Sequence, residues 1–149
     1  MRDSLRDALV TRLMGYERVV EVGIGRKPAV AAELAEHGVE VVAVDVHDFP
    51  VPEDVQFVHD DVFARVDSSE PGPYEAVDAI YALNIPVELH RPTARIARRV
   101  GADFLFTTLG YDEPSIPVSR ESLPGDTLFV ADDSARDRGR GRGLDRSQE

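Results

Sequence analysis

The stretch Arg18-Val19-Val20-Glu21-Val22-Gly23-Ile24-Gly25-Arg26-Lys27-Pro28-Ala29-Val30 decides the fold of this chain. Arg18 to Val22 is rich in valine and predicts a strand buried on both faces, as in a parallel sheet. Gly23 to Lys27 reads as a tight turn. Pro28 suits the first position of a helix, where its missing N–H costs nothing. That helix runs through Val30, Ala31, Leu34 and Ala35, and Gly38 stops it. Val39 to Val44 is a second valine-rich run, ending at Asp45.

Upstream, Leu5, Leu9 and Leu13 recur on one helical face. Asp3 or Ser4 can cap this helix and Gly15 can end it. Downstream, Val46 to Asp54 is rich in Pro and Asp and too short for a crossover helix, so a loop or single turn is expected. Val55 to Val58 predicts a third strand, Ala76 to Tyr81 a fourth and Ala102 to Thr108 a fifth. Between the last two, a helix is expected from about Pro92 to Val100, with Gly101 as its cap. Residues 68–73 read as loop, and so do residues 111–126, which hold three prolines; Thr127 to Val130 is a last short strand. The alternation predicts an α/β fold: a Rossmann-like parallel sheet, order near 3-2-1-4-5 plus an edge strand, with helices on both faces.

A chain of 149 residues suits one domain, expected over 1–131. Residues 132–149 turn to Arg, Gly, Asp and Ser, and 138–143 is an Arg-Gly repeat, so this tail is expected to be disordered. No run is apolar enough for a membrane span or a signal peptide, and a cytoplasmic address is expected. Without cysteine, disulfides and thiolate metal sites are excluded. The formal net charge is −11, and Lys27 is the only lysine. Such acidity reads as adaptation to concentrated salt, or as a bias toward arginine codons. It argues against nucleic-acid binding, except weakly through the tail, and names no protein partner.

In open α/β sheets, ligands bind beyond the carboxyl ends of the strands, where strand order reverses. Gly23/Gly25, Asp45, Asp60/Asp61 and Asn84-Ile85-Pro86 all fall at that edge. The glycines allow a sharp turn and close approach of backbone to ligand, and the following helix aims its N-terminus there. A structural turn alone would also use them. Asp45, 22 residues after Gly23, is placed to accept bonds from ribose hydroxyls. Together they point to an adenosine-containing small molecule. Asp60 and Asp61 fit an adenine contact, a cap on the next turn, or a metal. The histidines lack metal-ligand spacing, so no metal site is assigned. Lys27, in the same loop, fits a phosphate or carboxylate contact.

Glu21 would be costly unpaired in a buried strand. It either lies at the strand's exposed lip beside Arg26 and Lys27, or serves the ligand. An acid two residues before the first glycine resembles S-adenosylmethionine-dependent methyltransferases, where it helps hold the cofactor's methionine end. The acid after the third strand resembles their adenine contact. Asn84-Ile85-Pro86-Val87 is faintly similar to the Asn-Pro-Pro-aromatic motif of enzymes that methylate exocyclic amines, with Ile85 and Val87 departing from it. That resemblance makes Asn84 and Pro86 candidates for the transfer site.

Five runs carry a further resemblance: Val20 to Arg26, Val44-Asp45-Val46, Phe57 to Phe63, Ala79-Ile80-Tyr81 and Arg98 to Leu105. Together they resemble uncharacterised protein family 0146, a small archaeal group, over about Tyr16 to Val130. This resemblance implies a methyltransferase-related fold and no particular reaction. S-adenosylmethionine is the expected cofactor, with NAD or another adenosine nucleotide as the alternative. Pro28 and Glu21 depart from the nicotinamide fingerprint. The functional readings are a methyltransferase of unknown substrate, a non-catalytic nucleotide- or partner-binding module, and an NAD-binding oxidoreductase.

Overall fold

A computed structural model describes residues 1–132. Helix α1 (Asp3–Leu13) precedes strand β1 (Arg18–Val22), helix α2 (Ala29–Glu36) and strand β2 (Glu40–Asp45). Strand β3 (Gln56–His59), helix α3 (Val62–Val66), strand β4 (Ala79–Ala82), helix α4 (His90–Val100) and strand β5 (Asp103–Phe106) come next. Strands β6 (Val118–Leu123) and β7 (Asp126–Ala131) close the chain. The sheet order is β3-β2-β1-β4-β5-β7-β6. Strands β1 to β5 run parallel, and Val19 lies beside Val41 as the two valine runs require.

Side chains of β1 alternate between two cores. Val19 joins α1 and α2 on one face, with Leu9, Leu13 and Leu34. Val20 and Val22 join α4 on the other, with Ile96 and Phe104. Glu21 therefore falls on the α1/α2 face, beside the buried ring of Tyr81. This alternation decides which side of the sheet edge each site residue serves.

Five expectations need correction. Residues 111–126 are not all loop, because β6 forms there and pairs antiparallel with β7 across a two-residue Pro124-Gly125 turn. The sheet thus carries an antiparallel hairpin at one edge instead of one added strand. The fourth strand starts at Ala79, after a left-handed residue at Ala76 (φ 62°). Arg2 and not Asp3 or Ser4 occupies the cap of α1, and Pro28 sits one place before α2. From β2 to β3 the chain runs without a helix, as its length requires. The Arg/Gly tail lies outside the described residues, though Asp132 donates its N–H to the Pro117 carbonyl. Among the described residues no helix is long and apolar enough to cross a membrane.

Candidate cofactor and substrate site

The site is built around the end of β1. Gly23 (φ 72°) and Gly25 (φ 59°) adopt left-handed backbone that a side chain would strain. They turn the chain over the sheet edge, while the Gly23 and Ile24 N–H groups donate to the Val44 carbonyl at 2.9 and 3.3 Å. Ile24 is buried and anchors the loop. Asp45 closes the turn from below. Its Oδ2 accepts from the Gly25 N–H at 3.0 Å, and its Oδ1 from the His47 N–H at 3.2 Å. Asp45 therefore faces the glycine loop and also caps the turn after β2.

Two cavities meet at Gly23. The larger, about 630 Å³, lies on the α1/α2 side and is lined by Glu21, Gly25, Arg26, Lys27, Leu83 and Asn84, among others. The smaller, about 270 Å³, lies on the α3/α4 side. It is lined by Val22, Val44, Asp45, Val46, Asp60, Asp61, Val62, Phe63 and Leu89. Its walls are apolar and its polar groups are all carboxylates. Neither Tyr81 nor Ile85 nor residues 111–126 line either cavity.

Glu21 is 2% exposed and forms part of the larger cavity's floor. The Tyr81 hydroxyl donates to its Oε1 at 2.6 Å. Burial pushes the Glu21 carboxyl up to about 8, and the Tyr81 hydrogen bond offsets only part of this. Tyr81, buried against the same carboxyl, is raised well above the usual phenol range. Glu21 is thus neutral near pH 7 and is not paired with Arg26 or Lys27 at an exposed lip. Tyr81 was not singled out in the sequence as its partner, because the two lie 60 residues apart.

The paired aspartates divide their work. Asp60 takes the Arg65 guanidinium through two bonds of 3.2 and 2.8 Å. Asp61 caps α3, accepting from the Phe63 N–H at 2.9 Å. Both still line the smaller cavity, and Asp61 has acceptor capacity left on its second oxygen. Among the described residues no cluster of His, Asp and Glu is arranged to hold a metal.

Asn84 is held in left-handed backbone (φ 55°), its N–H on the Thr107 Oγ1 at 2.8 Å. It borders the larger cavity. Pro86 does not belong to either cavity, and its carbonyl accepts from the Leu89 N–H at 3.0 Å. The candidate transfer pair is therefore split, with Asn84 at the cavity and Pro86 outside it. The apolar walls Val46, Phe63 and Leu89, and the cation Arg6, were not singled out in the sequence as site residues, and Arg26 was named there only as a partner for Glu21. Val46 and Leu89 lie between the strands and α-helices, where side chains follow no period that would mark them.

The fold is shared with methyltransferases. A SAM-dependent methyltransferase from Neisseria gonorrhoeae superposes with a TM-score of 0.64 at 12% identity, over 87% of this chain and 68% of its own. A ribosomal RNA methyltransferase from Plasmodium falciparum gives 0.58 at 9% identity, over 87% and 96%. Magnesium protoporphyrin IX methyltransferase from Synechocystis, solved with bound SAM, gives 0.54 at 12% identity, over 85% and 76%. At these identities the likeness shows the Rossmann-like methyltransferase fold and nothing of substrate. By sequence, a protein of Halobacterium salinarum is 48% identical over 123 residues, 82% of this chain and 92% of its own. One from Archaeoglobus fulgidus is 44% identical over 94 residues, 62% and 68%. Both carry the same family name, and that family's model matches residues 6–133: the chain belongs to the uncharacterised protein family UPF0146.

Proposed function

We propose that this protein binds S-adenosylmethionine and acts as a small methyltransferase. The observation that carries this reading is the pair of cavities meeting at Gly23. The smaller, with apolar walls and three carboxylates, suits an adenosine. Val46, Phe63 and Leu89 flank the base, Asp61 takes its amino group, and the Asp45 carboxylate takes ribose hydroxyls. Asp45 spends one acceptor site on each oxygen in the loop, leaving others free for ligand. The chain then crosses Gly23 and Gly25 to Glu21, whose Oε2 has no hydrogen bond among the described residues and suits the ammonium of the methionine end.

When bound, the cofactor supplies an activated methyl group. The chain binds, orients and shields it, and positioning is most of what such a transfer asks of protein. Asn84 lines the acceptor side. The cleft is open where a binding module without catalysis would have it filled by Tyr81, Ile85 or residues 111–126. A second reading, NAD or another adenosine phosphate, draws on one observation: Arg26 and Lys27 line the cavity beyond the loop.

Calorimetry in concentrated KCl tests this with S-adenosylhomocysteine, NAD and ATP. S-adenosylhomocysteine binding is expected, weakened roughly ten- to a hundredfold by Asp45→Ala, since charge-assisted bonds to ribose are worth ~1.5–3 kcal/mol. The same variant is expected to lose ~1 kcal/mol of stability through the turn it caps. Heat from NAD or ATP and none from S-adenosylhomocysteine would exclude the methyltransferase reading.

A further inference from the structure

The two cavities carry opposite charge. The chain has 28 acids to 17 bases, and the smaller cavity has the same bias, with three aspartates and no base. The larger inverts it, with Arg6, Arg26 and Lys27 against Glu21 alone. Glu21 is moreover held neutral by burial. Arg6 is engaged by Asp3, Asp7 and Glu33 at 3.5, 3.8 and 3.4 Å. The other two cations are not neutralised. Arg26 packs over the Phe49 ring at 5.7 Å, and neither it nor Lys27 has an ion pair among the described residues. They stand side by side where α2 begins, and no acid occupies its first turn. The one lysine of an arginine-using chain is thus spent here.

S-adenosylmethionine does not supply the missing negative charge. Its amino-acid end offers one carboxylate against an ammonium and a sulfonium. The space also exceeds that end's needs. At about 630 Å³ the larger cavity is by itself the size of a small-molecule site, ~300–1,000 Å³, and adenosine has its own cavity alongside. Two adjacent cations at a helix start match a dianion better than a single carboxylate.

We propose that the larger cavity beyond Gly25 is a subsite for the phosphate group of a small methyl acceptor, held by Lys27 and Arg26, with Asn84 bordering the acceptor's other end. This rests on the cofactor reading above for the identity of the acceptor, but the anion subsite can be tested separately. The acidic body favours a small molecule over a nucleic acid.

The experiment titrates full-length protein with inorganic phosphate at constant KCl, with and without saturating S-adenosylhomocysteine, and monitors binding by phosphorus NMR. Phosphate is expected to bind the loaded protein. Lys27→Ala and Arg26→Ala should each weaken it about tenfold, the effect of removing one ion-paired donor, while Lys27→Arg restores most of it. The affinity for S-adenosylhomocysteine should stay within about twofold. Both side chains are exposed, and thermal melts confirm that the variants fold. Phosphate bound at Lys27 without any binding of S-adenosylhomocysteine would keep the subsite and remove the cofactor reading. The proposal is overturned by no phosphate binding to the loaded protein, by displacement of S-adenosylhomocysteine by phosphate, or by an equal loss of both ligands in Lys27→Ala. The last would assign the cations to the cofactor's carboxylate. A short RNA binding more tightly than phosphate, with the same Lys27 dependence, would overturn the small acceptor in favour of a polymer.

Discussion

Glu21 is a carboxyl group placed where water cannot solvate its charge. The folded protein holds its proton up to about pH 8, whereas the unfolded chain loses it near pH 4.5. Between those values the unfolded state binds fewer protons, so this residue makes stability fall as pH rises, and above about 8 its effect is constant. Glu21→Gln keeps an acceptor for Tyr81 and removes the titration. Its stability advantage over the parent, measured by urea unfolding at pH 5.5 and 8.5, is expected to grow by up to ~1.4 kcal/mol per pH unit. A difference that is constant across pH would mean that Glu21 is ionised in the fold. The same carboxyl must ionise to pair with an ammonium. Binding of S-adenosylhomocysteine at pH 7 should therefore release a proton, read from calorimetry in buffers of different ionisation enthalpy.

Helix α3 is only five residues long and depends on the two aspartates before it. Asp60 and Arg65 are both largely buried, their side chains 11% and 21% exposed. Asp60→Ala strands the guanidinium with the Glu70 carbonyl as its remaining partner and is expected to cost ~2–3 kcal/mol. Asp61→Ala removes one capping bond and should cost ~1 kcal/mol, yet should weaken the adenosine ligand more than the Asp60 change. Denaturation and ligand titration of the two variants check this, and the reverse order of stability loss would exchange their roles. The division between adjacent aspartates was invisible in the sequence, because Arg65 could reach either. Local period, by contrast, is legible in the residues themselves. The run from β1 through α2 to β2 carries its pattern in neighbouring residues, and parallel alternation then gathers Gly23, Asp45, Asp61 and Asn84 at one edge. Strand β6 carries no such pattern. Ser119, Arg120, Glu121 and Ser122 are polar, prolines flank the segment, and only pairing with β7 makes it a strand. Its edge is also tied to α1 by the Arg12–Glu121 pair at 2.9 Å, a contact spanning 109 residues.

At the scale of the whole molecule, charge is the feature that solvent conditions can change most directly. A net charge of −11 on a chain of this size repels itself, and among the described residues few of the acids are neutralised by pairs as close as Asp60–Arg65. A salt-adapted surface predicts a response to salt, while a simple preference for arginine codons predicts none. Screening length falls from ~8 Å at 0.15 M to ~3 Å at 1 M salt, so repulsion between surface acids is largely gone by then. The melting temperature is therefore expected to climb steeply with KCl up to about 1 M and then flatten, because screening saturates. Strengthened apolar burial would instead keep raising it at higher concentration. Acidity separates the two further. At pH 5 the chain carries less net negative charge than at pH 7.5, so the steep phase should shrink. Calorimetric scans across KCl at pH 7.5 and pH 5 measure both effects. A melting temperature indifferent to KCl at pH 7.5 would leave codon preference as the reading of the acidity. It would also mean that the Lys27 and Arg26 cavity acts in ordinary screening, where its charge reaches further.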